Sequence, residues 1–144
     1  MDKKQIFEII NKNPVIYLAT VDGNEPRVRA MALYKADGNG IIFHSGPFKD
    51  VYRQIQKNAN VQMCFYDGEQ NIQIRVRGKL EMTDDIKLKE EISNHPSRGF
   101  MQAWKAGKTL DEFYKMFSVF VLKKGRANVW TFQTNFLPKE DIEL

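Results

Sequence analysis

The chain has little of the chemistry that would declare a function at sight. One cysteine, Cys64, stands among 144 residues. An internal disulfide framework is therefore excluded, and a reducing cytoplasm is the expected compartment. Two histidines, His44 and His95, are too few to build a zinc site alone, and Cys-x-x-Cys and His-Glu-x-x-His are both missing, so no metal is expected. No Pro/Gly/Ser-rich linker, low-complexity tract or internal repeat divides the sequence, which points to a single domain over residues 1–144. The opening run MDKKQIFEIINKN is too poor in apolar residues for a signal peptide. No later stretch is long enough to span a bilayer, so no membrane partner is expected. AGKT at 106–109 resembles the tail of a phosphate-binding loop, but Gln102 stands where that loop needs glycine, and the preceding segment reads as helix. Gly38 and Gly40 begin a G-x-G-x-x-G whose sixth position is Phe43, so a dinucleotide fingerprint is absent.

What is present suits one compact domain. Hydrophobic residues make up 42% of the chain, enough for a real core, and the net charge of +4 is mildly basic. Such a balance suits an anionic partner without saying whether it is a polymer or a small phosphate. The lysines and arginines are scattered rather than gathered in blocks, which argues against a nucleic-acid surface. DKKQIFEIINKN has helical spacing, with Pro14 beyond its end. VIYLATV, RVRAMALYK and IIFHS read as strands joined by the turns DGNEP and ADGNG, an antiparallel meander. GPFKDVYRQIQKN reads as a helix with Pro47 at its first position and Lys49 in its first turn. VQMCFY and the long NIQIRVRGKLEMT follow as strands. Residues 84–116 are mostly helical with breaks at Pro96 and Gly107, and FSVFVLKKGRANVWTFQ reads as a hairpin turned at Lys124-Gly125. About seven strands are predicted, connected mainly antiparallel, and a closed or partly closed barrel is the natural way to bury them. Cys64, in an apolar strand, reads as a buried small hydrophobe.

Arg27 and Arg29 lie two apart, so they share one strand face, and Met31 and Leu33 continue that face as apolar residues. The face should therefore become buried beyond Arg29. The neighbouring strand ends in His44-Ser45, and Lys49 follows at a helix start, where a cation opposes the macrodipole. A hydroxyl, a lysine, an arginine fork and free backbone N–H groups suit a dianionic phosphate, and a bound anion would explain the placement of Lys49. Gln73, Arg75 and Arg77 share a face opposite Ile72, Ile74 and Val76. They form either a solvated polar face or one that offers the Gln73 amide to a planar heteroaromatic ligand. Trp130 and Phe132 alternate onto one face and read either as core or as rings flanking a ligand.

The run PRVRAMALYKADGNGIIFHSGPFKDVYRQIQKNANVQMCF resembles the signature region of the pyridoxamine 5′-phosphate oxidase-like, FMN-binding split-barrel family, in its short, general-stress-protein-like branch. The resemblance implies a mainly β (α+β) fold, an antiparallel split β-barrel of Greek-key type with flanking helices. It also implies a homodimer with FMN at the subunit interface. By resemblance, Arg29 and Lys49 match the residues that grip the FMN phosphate. Ala30, Met31 and Ala32 fall in the segment whose backbone lines the isoalloxazine, and His44 and Ser45 match the strand-end pair beside the flavin. Gln73 matches a glutamine that approaches the flavin from the other subunit, and Phe132 a partner-chain aromatic that covers the cofactor. Phe48 stands where the oxidases proper usually have a second basic residue, and no arginine follows Arg126 where they carry an Arg-rich segment.

The resemblance thus implies a flavoprotein oxidoreductase acting on a small molecule, rather than a true pyridoxamine phosphate oxidase. The alternative is a noncatalytic module that binds flavin, haem or F420. His44 stands near the expected site, where it either titrates near neutrality or packs its ring against flavin or core. Replacing Arg29 or Lys49 by alanine is expected to weaken FMN binding and to leave the fold largely intact.

Overall fold

The computed structural model describes residues 1–144. Helix α1 (Lys3–Lys12) starts on a capping box: Gln5 N–H donates to the Asp2 carboxylate at 2.8 Å, and the Asp2 N–H donates to Gln5 Oε1 at 2.9 Å. Its buried residues, Ile6 and Ile10, are four apart and so share a face. Asn11 pins the helix to the sheet by donating to the Ala36 carbonyl and accepting from the Ala36 N–H, at 2.7 and 2.8 Å.

The strands β1 (Val15–Asp22), β2 (Glu25–Asp37) and β3 (Gly40–Ser45) form the expected meander. Gly23, at φ +63°, supplies the left-handed residue of the first two-residue turn. Helix α2 (Asp50–Lys57) then carries the chain back to β4 (Asn60–Asp67), which pairs with β1. The spatial order β3-β2-β1-β4 is a Greek key. Beyond it come β5 (Ile72–Lys79), β6 (Glu81–Thr83), α3 (Ile86–Asn94), a 3₁₀ turn (Pro96–Arg98), α4 (Met101–Lys105), α5 (Leu110–Tyr114), β7 (Ser118–Leu122), β8 (Arg126–Thr131) and β9 (Ile142–Glu143). All nine strands join one antiparallel sheet in the order β6-β7-β3-β2-β1-β4-β5-β8-β9. The sheet curls into a half-barrel whose two edges do not pair with each other, a mainly β split-barrel fold with flanking helices.

Three sequence expectations need correction. The predicted long strand over 71–83 breaks at Leu80: β5 pairs with β4 and β8, whereas β6 crosses to the other end of the sheet and pairs with β7. The segment around Lys124-Gly125 is no hairpin, because β7 pairs with β3 and β6 while β8 pairs with β5 and β9. The sheet has nine strands instead of about seven because of that break and because the tail adds β9.

The concave side holds the main core, where Ile16, Leu18, Leu33, Phe43, Phe65, Ile74 and Phe120 meet α1 and the Val51–Ile55 face of α2. A second core lies on the outer side of β3 and β7, where Ile42, Val119 and Val121 pack against Ile92, Met101, Phe113 and Phe117 of the 84–117 segment. Strands β3 and β7 are therefore covered on both faces, and their stretches Ile41–Phe43 and Val119–Leu122 read as unbroken apolar runs. No helix is long and apolar enough to cross a membrane.

Candidate functional site

The sites predicted from the two basic residues converge on α2. Arg29 lies opposite Leu18 on β1, so its side chain enters the concave side with the core residues. Its Nη1 donates to Thr20 Oγ1 at 2.7 Å and to the Leu18 carbonyl at 3.3 Å, and its Nη2 donates to Gln54 Oε1. Thr20 and Gln54 are themselves buried, and the Thr20 hydroxyl donates to Gln54 Oε1 at 2.7 Å. The β1–β2 pair thus clamps one end of the guanidinium against the inner face of α2. Nε has no protein partner and Nη2 has one, so part of the five-donor fork stays available. Burial pushes the Arg29 pKa down, and the Asp50 carboxylate partly restores it. Arg27, on the same strand face, is exposed and pairs with Asp22 and Glu25 at 3.7 and 2.6 Å.

Lys49 sits at the head of the same helix but not inside it. Helix α2 begins at Asp50. Lys49 is the extended residue before it, its side chain caps nothing, and Pro47 lies in the preceding turn rather than at the first helical position. The first helical turn carries Asp50, the sign the macrodipole favours. Lys49 is exposed, and its charge reaches His44.

Ser45, the last residue of β3, is buried, and its Oγ has no hydrogen-bond partner. A buried hydroxyl left unmade is costly, about 1–3 kcal/mol. Ser45 lies on the concave side of β3, the side Arg29 enters, one turn before α2. His44 points to the opposite side of β3, into the second core. Its ring meets Phe117 edge-on at 5.7 Å, and its Nε2 accepts from Nε of Arg98 at 2.9 Å. Burial, then Arg98, then Lys49 push its pKa down to about 4. Of the two roles the sequence leaves open for His44, ring packing is the one seen here, and three effects all disfavour the cation that titration near neutrality would need.

Met31 follows Arg29 on the concave face and is half-buried, while Ala30 and Ala32 lie on the outer face and are exposed. Gln73 lies on that same outer face of the sheet, paired with Tyr66 on one side and Trp130 on the other. Cys64 also faces outward and is half-buried, not a core residue, because Met63 and Phe65 take the inward positions of β4. Phe132 lies past the end of β8 and is 74% exposed. One copy of the chain therefore brings Arg29, Ser45 and Lys49 to one end of the half-barrel. It leaves Ala30, Ala32 and Gln73 on the outer surface of the sheet and Phe132 exposed beyond β8.

The sequence reading missed Gln54, Thr20 and Arg98. Gln54 has a readable signal, since it lies on the apolar Val51–Ile55 face of α2 where a polar residue is unusual. Arg98 has none in the sequence, because its partners lie 54 and 65 residues away.

Comparison with known proteins agrees with the fold. The sequence profile described as "Pyridoxamine 5′-phosphate oxidase" matches residues 2–123. The pyridoxine/pyridoxamine 5′-phosphate oxidase of Agrobacterium fabrum is 29% identical over 96 residues, 66% of this chain. That match spans 47% of the relative, so the chain corresponds to about half the length of the curated relatives. A NimC/NimA family protein from Clostridium acetobutylicum superposes with a TM-score of 0.75 at 23% identity, covering 98% of this chain and 92% of the other. A protein related to general stress protein 26 from the same organism gives 0.72 at 15% identity, covering 100% and 97%. A pyridoxamine 5′-phosphate oxidase-related, FMN-binding protein from Nostoc punctiforme gives 0.60 at 18% identity, covering 97% and 95%. At these identities the solved structures establish the fold.

Proposed function

The chain belongs to the pyridoxamine 5′-phosphate oxidase family, and from that membership we propose that it is an FMN-binding oxidoreductase acting on a small molecule. One observation carries the reading. Arg29 presents N–H groups that no protein atom accepts, and Lys49 stands exposed at the head of α2, the helix against which Arg29 is clamped. A phosphate dianion fits that donor set, with Arg29 giving a charge-assisted fork and Lys49 a mobile ammonium. FMN, when bound, supplies the redox chemistry, and the chain supplies binding and orientation. Pyridoxamine phosphate oxidation is not carried over, because the match spans 47% of the curated relative.

The partner belongs to the same proposal. Gln73, Ala30 and Ala32 lie on the outer face of the sheet, away from the Arg29 end of the concave side. They serve the same cofactor only if a second copy packs on that face, which is the reading of a homodimer with FMN at its interface. A cytoplasmic location is part of the reading and rests on the single unpaired Cys64.

The test is direct. Purified protein should be yellow with a flavin spectrum, or should become so on adding FMN. Lys49→Ala should weaken FMN binding by about tenfold to a hundredfold, corresponding to roughly 1.5–3 kcal/mol for a charge-assisted contact. A colourless protein that takes up no FMN would overturn the proposal. A second reading, a noncatalytic flavin module, is favoured by one observation: His44 is held neutral and so offers no proton relay at ordinary pH. Flavin reduction by NAD(P)H or by a screened substrate separates the two.

A further inference from the structure

We infer that Arg98, delivered by the 3₁₀ turn between α3 and α4, is a positioning residue that fixes His44 as the Nδ1–H tautomer and makes it a constant hydrogen-bond donor to bound ligand. The argument begins with what each group can do. A guanidinium donates hydrogen bonds and accepts none. Arg98 Nε lies 2.9 Å from His44 Nε2, so Nε2 must present its lone pair. A neutral imidazole has one N–H, and here it must sit on Nδ1.

The clamp is held from several sides. Arg98 is buried, although its residue type is almost never so unless paired. Its Nη2 donates to the Leu33 carbonyl at 2.9 Å and its Nη1 to Ser97 Oγ at 3.2 Å, and the guanidinium lies 5.5 Å from the centre of the Tyr34 ring. Phe117 fixes the opposite side of the imidazole. The charged groups that bear on His44 are Arg98 and Lys49, with Lys89 beyond the Phe117 ring, and all three are cations. Nδ1 has no protein partner, and the ring is only half-buried, which leaves that nitrogen for a ligand. What it can recognise is an acceptor: a carbonyl oxygen, a lone-pair ring nitrogen or a phosphate oxygen. The helical segment over 84–116 thereby gains a role. It spans from the Leu33 backbone of β2 to the end of β3 and sets the proton of a ring on the outer side of the sheet, the side of Ala30, Ala32 and Gln73. Only the identity of the ligand rests on the flavin reading. The tautomer does not.

Nitrogen-15 NMR of the imidazoles in the whole, ligand-free chain tests this, with His44→Phe used to assign the signal. Between about pH 5 and 8, His44 should show a protonated-type Nδ1 and a lone-pair-type Nε2 that do not change. Arg98→Lys, which keeps a donor, should retain most of that pattern. Arg98→Met should lose it and titrate inside the window. The Nε2–H tautomer in the native chain, or titration of its His44 within the window, overturns the inference. If Arg98→Met fails to fold, the native chain and Arg98→Lys still decide. Adding FMN should then shift the Nδ1 signal; binding that leaves it unmoved refutes the donor role. FMN that fails to bind at all counts against the flavin reading instead, and the ligand-free spectra still judge the tautomer.

Discussion

Single side chains in this site do two jobs, and the stability of the variants separates them. Arg29 is tied to Thr20, the Leu18 carbonyl and Gln54, so Arg29→Ala should destabilise the fold by about 1.5–3 kcal/mol as well as weaken FMN binding. The expectation from sequence is that its loss largely spares the fold, and these contacts argue for the opposite outcome. Lys49, exposed and without a protein partner, should change stability by less than about 0.5 kcal/mol on replacement by alanine. Urea unfolding of the two variants checks the contrast. His44 sets a pH dependence whose sign is opposite to that of a histidine paired with a carboxylate. Its pKa is about 4 in the folded chain against an ordinary 6.5. The unfolded chain therefore takes up the proton first as pH falls. Stability should be full above about pH 6.5, fall by roughly 3 kcal/mol towards pH 4, and lose no more from this group below that. His44→Phe should flatten this slope, and urea midpoints at a series of pH values would show whether it does. The site residues on β2 and β3 were legible because a strand alternates strictly and a charged residue on an apolar face stands out. The Arg98 clamp was not legible, because no local pattern links a 3₁₀ turn to a strand 54 residues earlier.

At the scale of elements, short-range chemistry decided what could be read. The meander β1-β2-β3 follows from two tight turns and from alternation that matches the observed burial, with Ile16, Leu18 and Thr20 inward on β1. The break at Leu80 and the parting of β7 from β8 are products of curling a sheet, because a strand at the bend changes neighbours without changing its own composition. Glycines mark where that curl brings backbones close. Gly40 has φ +125°, and a Cβ there would meet the Leu122 carbonyl oxygen at 2.7 Å. Gly40→Ala should cost about 1–3 kcal/mol from backbone strain alone and more from the clash between β3 and β7. Gly38→Ala, two residues earlier with nothing within 4 Å, should be near neutral. Thermal unfolding of the pair compares them directly, and equal melting temperatures would mean that the β3–β7 approach is looser than described.

For the whole molecule, the question is what covers the outer side of the sheet. The 84–117 segment covers β3, β7 and the Tyr34–Lys35 stretch of β2, but the rest of β2, with β1 and β4, carries no covering element on this side. Val15, Tyr17 and Val21 of β1, Val28 of β2 and Tyr66 of β4 are exposed there, with Ala30 and Ala32 among them, and the register places Tyr17 between Ala30 and Cys64. A contiguous apolar surface of this kind marks an association site. The edges offer no competing route, since β6 has three residues and β9 two, too short to template another sheet. Association through the face is therefore the expected mode, and it would bury Gln73 with Ala30 and Ala32 between the two copies. Val28 is 71% exposed and makes no contribution to the core, so Val28→Asp should spare the monomer fold while placing a carboxylate in the dimer interface. Sedimentation should give twice 16.8 kDa for the native chain and a shift towards monomer for Val28→Asp, with FMN affinity falling at least tenfold, about 1.4 kcal/mol. If the native chain sediments as a monomer and still holds flavin, the cofactor needs no second subunit. Gln73 and Phe132 would then have no part in binding it.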